Sequence, residues 1–293
     1  MNIGIFDRYR FWIITTPFIW VGMFIILASL LLLCISFSAT EFAVVPYKSL
    51  FQFIDGGLEI KPDISSYQAL FSDSFYIKAL KNSLKLAAIS TFFVLIIGYP
   101  MAYTISQASD KNRLLLLILI MAPFWTALLI RIYGWIMILK SNGLLNQCFL
   151  WLGVTDQPLQ LINSQTSIVV GIVYTYLPFM ILPIYSSLLK IEPDIIEAAA
   201  DLGARPFQIF WRIIFPLSLP GVVIGVILVF IPAIGEFVIP DLLGGAKIFT
   251  VGKLLWTEFF MNRDWPMASA ITILMIIIVV APIKVVNNIL NRG

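Results

Sequence analysis

Long stretches without a charged residue constrain this sequence more than any other feature. A helix that crosses a lipid bilayer needs about 20 predominantly apolar residues. The uncharged stretches are Phe11–Thr40, Leu86–Ser109, Leu114–Ile130, Gln157–Leu189, Ile213–Gly235 and Trp265–Ile283. Only 12% of the residues are charged, whereas ordinary soluble domains carry about 25%. The sequence therefore predicts an all-α integral membrane protein.

Six spanning helices account for these stretches, and six crossings place both termini on one side of the membrane. Lysines and arginines divide nine against nine between the two faces, with Arg131 inside a predicted span. The nine on the side of the termini lie in shorter loops, which favours cytoplasmic termini. The predicted spans are 12–36, 82–108, 113–139, 166–190, 217–241 and 267–290.

The first span resembles a signal peptide only at its start. Arg8 and Arg10 precede it, as basic residues precede the apolar core of a signal peptide. The apolar stretch is about twice as long as such a core, and Ser36-Phe37-Ser38 is a poor cleavage site. We therefore expect an uncleaved anchor.

Composition divides the chain into an N-terminal segment with the first helix at 1–36, a polar loop at 37–81 and a helical core at 82–290. Near the end of the loop, apolar residues of Ser74–Leu86 recur at helical spacing between three lysines. This pattern predicts an amphipathic helix at the membrane surface. A plain extension of the second spanning helix has the same pattern.

Several kinds of chemistry are excluded by what the chain lacks. It has no histidine, which excludes histidine-ligated metals, Ser-His-Asp triads and Cys-His dyads. Cys34 and Cys148 are either two unpaired thiols or a single bridge. Gly252-Lys253 is followed by Leu254 rather than Ser or Thr, so no phosphate-binding loop occurs there.

Prolines recur inside the predicted spans. Each removes one backbone donor and frees the carbonyl four residues earlier. We therefore expect kinks at Pro100, Pro123, Pro178, Pro183, Pro232 and Pro240.

The loop between the fourth and fifth spans has a regular helical pattern. Asp194 and Glu197, after Pro193, form a possible capping pair for a short helix. Gly203 follows a run of good helix formers, at the position where a left-handed residue ends a helix. Pro206 is suited to begin a second helix. The pattern predicts a helix, a glycine turn and a second helix that project from the membrane.

This loop resembles the EAA motif of permeases in binding-protein-dependent ABC importers. The motif is written EAA-x3-G-x9-I-x-L-P, and the chain has Glu197-Ala198-Ala199, Gly203 and Ile213–Pro216, with Phe215 in place of leucine. The resemblance implies a type I (MetI-like) permease whose coupling loop, at about 192–216, is cytoplasmic. It also implies that Glu197, Ala198, Ala199, Gly203 and Pro216 couple the chain to an ATPase.

Other segments are similar to the polyamine branch of that family. They are Asn82-Ser83-Leu84, Gly98-Tyr99-Pro100, Pro123-Phe124-Trp125, Leu129–Tyr133, Leu177–Met180, Gly235–Gly245 and Arg263–Pro266. The resemblance implies an inner-membrane heterodimer with a second permease, two ATPase copies that hold ATP and Mg, and a periplasmic polyamine-binding protein. It implies no cofactor in this chain. Because of Glu236, the Gly235–Gly245 segment is most similar to the putrescine-type permease.

We expect two charged residues of the predicted spans, Arg131 and Glu236, to lie within the bilayer, where a charge faces a cavity or a partner. One hypothesis is a structural Arg131–Glu236 ion pair. The other places Glu236 in the translocation path, where its carboxylate replaces water around a substrate ammonium group. The candidate path residues are Glu236, Asp241, Tyr133, Tyr174, Tyr176 and Phe237.

Two other functions remain open from the sequence. An ABC importer for another small solute has the same architecture. A stand-alone channel or an ion-coupled carrier differs because it transports without a partner ATPase. A membrane enzyme is disfavoured because no paired acids lie within the predicted spans.

Overall fold

The structure is a computed structural model that describes residues 3–41, 43–54 and 57–290. Its helices are α1 (Ile3–Ser36), α2 (Ser65–Ser72), α3 (Ser74–Gln107), α4 (Asp110–Met121), α5 (Leu128–Leu139), α6 (Leu144–Trp151), α7 (Gln165–Leu188), α8 (Pro193–Asp201), α9 (Pro206–Ile209), α10 (Phe215–Gly235), α11 (Val238–Leu243), α12 (Val251–Trp256) and α13 (Trp265–Leu290). Two short strands, β1 (Phe51–Ile54) and β2 (Gly57–Ile60), pair antiparallel. The chain divides into two units, residues 1–74 with 255–278 and residues 75–254 with 279–293.

In the first unit, hydrogen bonds fix the polar segment after α1. The Tyr67 hydroxyl donates to Ser36 Oγ at 2.9 Å, and the Asp63 amide donates to the Phe37 carbonyl at 2.8 Å. The Thr40 hydroxyl donates to Asp264 Oδ1 at 3.0 Å, just before α13. These bonds tie the segment both to the end of α1 and to the start of α13.

In the second unit, α7 and α10 pack at close range through small residues. A Cβ atom on Gly225 would lie 2.7 Å from Met180 Sδ, and one on Gly221 would meet the Pro183 carbonyl. Small residues four positions apart allow two helix backbones to approach closely. The buried core of this unit therefore lies along the contact between α7 and α10.

Helix α3 completes the core by packing against both α7 and α10. A Cβ atom on Gly98 would lie 3.1 Å from Met180 Cγ. The hydroxyls of Tyr99 and Ser218 share a buried hydrogen bond of 2.8 Å. This bond compensates the two hydroxyls for the loss of hydration on burial.

The described residues contain five helical stretches that are long and apolar enough to cross a membrane, together with a shorter one at Trp265–Val280. The five are Thr15–Ser36, Ser74–Gln107, Leu128–Trp151, Gln165–Leu188 and Pro206–Gly235. The all-α membrane fold is thus confirmed. Residues 74–86 form the first part of the continuous α3, which corresponds to the plain extension of the second spanning helix.

The third predicted span, 113–139, is wrong as a single helix. Helix α4 ends at Met121, a 3₁₀ turn follows at Ala122–Trp125, and α5 begins at Leu128. Pro123 cannot donate to the helix ladder, and Thr126, with a ψ of 149°, is extended. The proline interrupts the span rather than only bending it.

The fifth predicted span, 217–241, ends early. Helix α10 stops at Gly235, and Glu236 has the extended values φ −61° and ψ 127°. Asp241 consequently lies in the separate short helix α11. Apolar composition continues through this region, which is why the break is absent from the hydropathy pattern.

The two cysteines, Cys34 and Cys148, are both free. Cys34 is half-buried and Cys148 is exposed.

Candidate functional site

The first candidate site is residues 193–216, which we call the EAA element. Helix α8 ends in a left-handed glycine: Gly203 has a φ of +82°. Its amide donates to the Ala200 carbonyl at 2.8 Å, and the Ala204 amide donates to the Ala199 carbonyl at 3.1 Å. These two bonds satisfy the last carbonyls of α8 in the Schellman arrangement. The predicted glycine turn is confirmed.

The start of α8 differs from the prediction. Its N-cap residue is Glu192, which makes no side-chain capping bond, and Pro193 occupies the first turn. The predicted capping pair of Asp194 and Glu197 is therefore wrong. The helix begins two residues earlier than such a pair requires, and proline is preorganised for that position.

The second helix of the EAA element is continuous with a spanning helix. Helix α9 passes through a π turn at Phe210–Ile214 into α10, so one helical rod runs over Pro206–Gly235. The ring of Phe210 packs edge-on against Tyr99 of α3, with 5.7 Å between centroids. A displacement of the EAA element is therefore applied directly to α10.

The outer surface of the EAA element is apolar and exposed. Leu202 is 89% exposed and Phe207 is 74% exposed. Trp211 is also exposed, with its ring 6.2 Å from that of Phe207. Large apolar side chains grouped in this way mark a protein interaction surface or a membrane contact.

The motif residues divide between the two faces of the EAA element. Glu197, Ala198, Gly203 and Pro216 are exposed, whereas Ala199 is half-buried and packs against the core beside α7. Among the described residues, the Glu197 carboxylate has no ion pair or hydrogen-bond partner. The face of the EAA element that contains Ala199 therefore packs against the core, and the face that contains Glu197 is exposed.

The second candidate site is the interruption between α10 and α11, which we call the Glu236 break. Glu236 Oε1 accepts the amides of Val238 at 3.1 Å and Ile239 at 3.4 Å. Its Oε2 accepts the Tyr176 hydroxyl at 2.6 Å. The carboxylate thus caps the first turn of α11, where negative charge is favourable.

Helix α7 supports the Glu236 break through close packing against α11. A Cβ atom on Gly171 would lie 2.6 Å from Leu243 Cδ1 and 2.8 Å from Ile239 Cγ2. The Ser167 hydroxyl donates to the Leu243 carbonyl at 2.8 Å. The glycine at 171 leaves room for the Leu243 and Ile239 side chains of α11 against α7.

A second support comes from the start of α12. A Cβ atom on Gly252 would lie 2.6 Å from the Glu236 carbonyl oxygen. The adjacent Val251 amide donates to Ser83 Oγ of α3 at 2.8 Å. Three elements, α3, α7 and α12, therefore fix the backbone that presents Glu236.

Sequence reasoning missed these supporting residues. Ser167 carries a local signal, since it forms a capping box with Ser164 at the start of α7. Gly171 and Gly252 carry no such signal, because the atoms that require a glycine there belong to residues far along the chain.

The Arg131–Glu236 ion pair is absent from the described residues, which corrects that hypothesis. The ion pairs in this part of the chain are Lys61–Glu59, Arg113–Asp110 and Lys253–Asp241. The Glu236 carboxylate is occupied by Tyr176 and two amides, and the Arg131 guanidinium instead lies over the Phe124 ring, 5.8 Å from its centroid.

Of the other path candidates, Tyr176 is joined to Glu236 by a hydrogen bond. Asp241 pairs with Lys253 at 3.0 Å. Tyr174 packs edge-on against Trp135, with 5.6 Å between ring centroids. Tyr133 is exposed. Phe237 is half-buried in the turn that follows Glu236.

Apolar spans of this length, with a projecting helix–glycine–helix element, define a helical membrane protein that has an exposed apolar surface. The chain belongs to the family described as binding-protein-dependent transport system inner membrane component, which matches residues 4–293. It is therefore a component of the inner membrane.

Curated relatives agree with this assignment. The chain is 39% identical over 281 residues to the spermidine/putrescine transport system permease protein PotB of Haemophilus influenzae, covering 94% of this chain and 93% of that protein. It is 44% identical over 206 residues to PotB of Escherichia coli, covering 70% and 75%.

A solved bacterial alginate ABC transporter, in complex with an alginate pentasaccharide-bound periplasmic protein, has the same fold. Its matching chain has a TM-score of 0.71 and 17% identity, with 99% of this chain and 98% of that chain covered. At this identity the likeness is one of fold.

Proposed function

We propose that this chain is one of two permease subunits in an ATP-driven importer of polyamines. The family description and the names of its relatives, which are permeases of spermidine/putrescine transport systems, support the substrate class. The chain itself performs no bond chemistry. Its termini and the EAA element lie on the cytoplasmic side, and a second permease completes the path.

The observation that carries the substrate assignment is the Glu236 carboxylate. It lies at a helix break, is held by neutral donors, and has no cationic partner among the described residues. A polyamine presents ammonium groups separated by short apolar chains. A fixed carboxylate, with the aromatic ring of Tyr176 beside it, matches such a cation.

Force reaches this site from the EAA element. Two copies of a partner ATPase bind ATP and Mg, and the exposed Glu197, Ala198, Gly203 and Pro216 contact one of them. Closure of the ATPases displaces the EAA element, and the continuous helix over Pro206–Gly235 transmits this displacement to the Glu236 break. Hydrolysis then resets the path, which gives alternating access.

Substrate reaches the path from a periplasmic binding protein, which supplies the affinity. Contacts within the path must remain weak, because a site that binds its cation tightly would not release it. A single carboxylate with neutral hydrogen-bond partners suits this requirement.

Reconstitution tests the transport class. The chain is placed in liposomes alone, and in parallel with the second permease, the ATPase and the binding protein. We expect uptake of labelled putrescine only from the complete set with ATP and Mg inside. Flux through the chain alone would instead indicate a stand-alone channel or carrier.

Competition tests the substrate. Uptake of labelled putrescine by the complete transporter is measured with unlabelled putrescine, spermidine or an anionic solute in excess. We expect both polyamines to compete, putrescine more strongly, and the anion to have no effect. Competition by the anion alone would indicate an importer for another solute.

A further inference from the structure

The Lys253 ammonium group occupies a site that is built by the segment after the Glu236 break. Its Nζ atom lies 3.0 Å from Asp241 Oδ1 and donates to the Gly245 carbonyl at 3.4 Å. Asp241 belongs to α11, and Gly245, with a φ of +68°, turns the chain after that helix. A carboxylate and a carbonyl therefore bind one primary ammonium group together.

This ammonium site lies beside the Glu236 carboxylate. Glu236 caps the first turn of α11, which has six residues and is about 9 Å long, and Asp241 belongs to the same helix. On the lysine side, a Cβ atom on Gly252 would lie 2.6 Å from the Glu236 carbonyl oxygen, and Lys253 is the next residue. One short helix therefore carries both carboxylates.

The Asp241–Lys253 ion pair is open to solvent on its acidic side. The side chain of Asp241 is 41% exposed and that of Lys253 is 19% exposed. Exposed ion pairs contribute little to stability. The start of α12 is fixed by other bonds, because the Val251 amide donates to Ser83 Oγ at 2.8 Å. A cation from solvent can therefore reach the Asp241 carboxylate, and α12 keeps its position when the pair opens.

The lysine side chain has the chemistry of one end of a polyamine. It is a primary ammonium group on a flexible four-carbon stem. Putrescine has such an ammonium group at each end of the same stem. A site that accommodates this group in Lys253 therefore also fits the end of a substrate molecule. Because Lys253 is tethered beside the site, it competes with a free amine at a high effective concentration.

We propose that Lys253 is a tethered substitute for the substrate: its ammonium group occupies a second ammonium site, formed by Asp241 and Gly245, until an ammonium group of a polyamine displaces it. This inference rests on the proposed function, in which another ammonium group of the same molecule lies at Glu236. The return of Lys253 to Asp241 displaces the substrate again. The second carboxylate consequently does not turn the path into a tight binding site, from which a cation would not be released.

Variants that break the ion pair from its two ends test the proposal. Putrescine is titrated into the purified complex of both permeases and the ATPase, without the binding protein, and the Kd is measured by saturation-transfer NMR. We expect Lys253→Gln to lower the Kd about threefold, because a competitor is removed, and Asp241→Asn to raise it about threefold, because a carboxylate is lost. Loss of a purely structural ion pair would change the Kd in the same direction in both variants.

A double variant separates competition from charge repulsion through space. In the Asp241→Asn background, Lys253→Gln should no longer lower the Kd, because the site for which the lysine competes is lost, whereas repulsion would act equally in both backgrounds. Lys247→Gln is the control, because it removes an exposed cation of the same region and should leave the Kd unchanged.

Three results would overturn the proposal. They are an unchanged Kd in Lys253→Gln, a raised Kd in that variant, and an equal decrease in both backgrounds. Misfolding does not tighten binding, so the expected gain in Lys253→Gln is distinguishable from damage to the fold. If the unmodified complex bound no putrescine, the proposed function would fail together with this inference. Normal binding by the unmodified complex, with any of the three results, would overturn the inference alone.

Discussion

The EAA element and the Glu236 break are both interruptions between two helices, but they are stabilised in opposite ways. At Gly203 the backbone satisfies its own carbonyls within six residues, and the surrounding apolar side chains face solvent. At Glu236 a side chain replaces the missing backbone bonds, and helices from distant parts of the chain enclose it.

Under the function we propose, this difference separates a surface for docking from a site for a ligand. A locally capped turn keeps its shape whatever contacts it, which suits an element that transmits force. A carboxylate whose position depends on Tyr176, Gly171 and Gly252 changes when those elements move, which suits a site that must release its substrate.

The largest expected effect comes from the glycine turn. Gly203→Val places a β-branched residue at a φ of +82°, a conformation that costs an ordinary residue about 1–2 kcal/mol. We expect polyamine uptake by the complete transporter to fall to background while membrane insertion is retained. Gly153→Val is the control, because Gly153 also has a positive φ, +67°, and open space around it. Equal losses in the two variants would show that backbone strain alone, and not docking, explains the effect.

The next effect tests the exposed apolar surface. Leu202→Asp introduces a charge where we expect an ATPase contact. Loss of a central contact residue costs about 2 kcal/mol or more of binding free energy, which is about thirtyfold in affinity. ATP-dependent uptake and ATPase co-purification should fall together, with no change in thermal stability. Val44→Asp is the matched control, because the side chains of Val44 and Leu202 are both 89% exposed. Normal co-purification of the Leu202→Asp chain would contradict a docking role.

A smaller effect is expected at the carboxylate. Glu236→Gln keeps an acceptor for the Val238 and Ile239 amides but removes the charge, so uptake of putrescine should fall about tenfold. Asp156→Asn makes the same change at an exposed loop position and should leave uptake unaltered. Uptake by the Glu236→Gln protein at the unmodified rate, with ATPase coupling intact, would remove Glu236 from the path.

The smallest expected effect is on the packing beneath the Glu236 break. Gly171→Ala forces a Cβ atom against Leu243 and Ile239, and overpacking of this kind costs about 1–3 kcal/mol. Thermal unfolding in detergent should show a lower midpoint. Gly134→Ala, in α5 with open space around it, should raise the midpoint slightly, since alanine favours a helix. A Gly171→Ala protein as stable as the Gly134→Ala protein would show that α11 shifts without cost.

How well the sequence predicts the EAA element and the Glu236 break depends on how far apart along the chain the interacting residues are. The EAA element is stabilised by bonds between near neighbours, so Gly203 and the motif spacing predict its shape from the sequence. The Glu236 break depends on Tyr176, which is 60 residues away, so the sequence indicates a buried charge without naming its partner. The ion-pair hypothesis was wrong for the same reason, because residue type and depth do not determine which side chains meet.

Apolar run length and the EAA spacing by themselves determined that this chain is a helical membrane protein with a projecting, glycine-capped element. Lipid allows few alternatives to a helix, because every backbone donor and acceptor must be satisfied within the segment. The tertiary structure alone decided where the third and fifth spans break, and that Tyr176 rather than Arg131 meets Glu236. Those outcomes depend on which helix surfaces pack together, and a sequence pattern does not specify that.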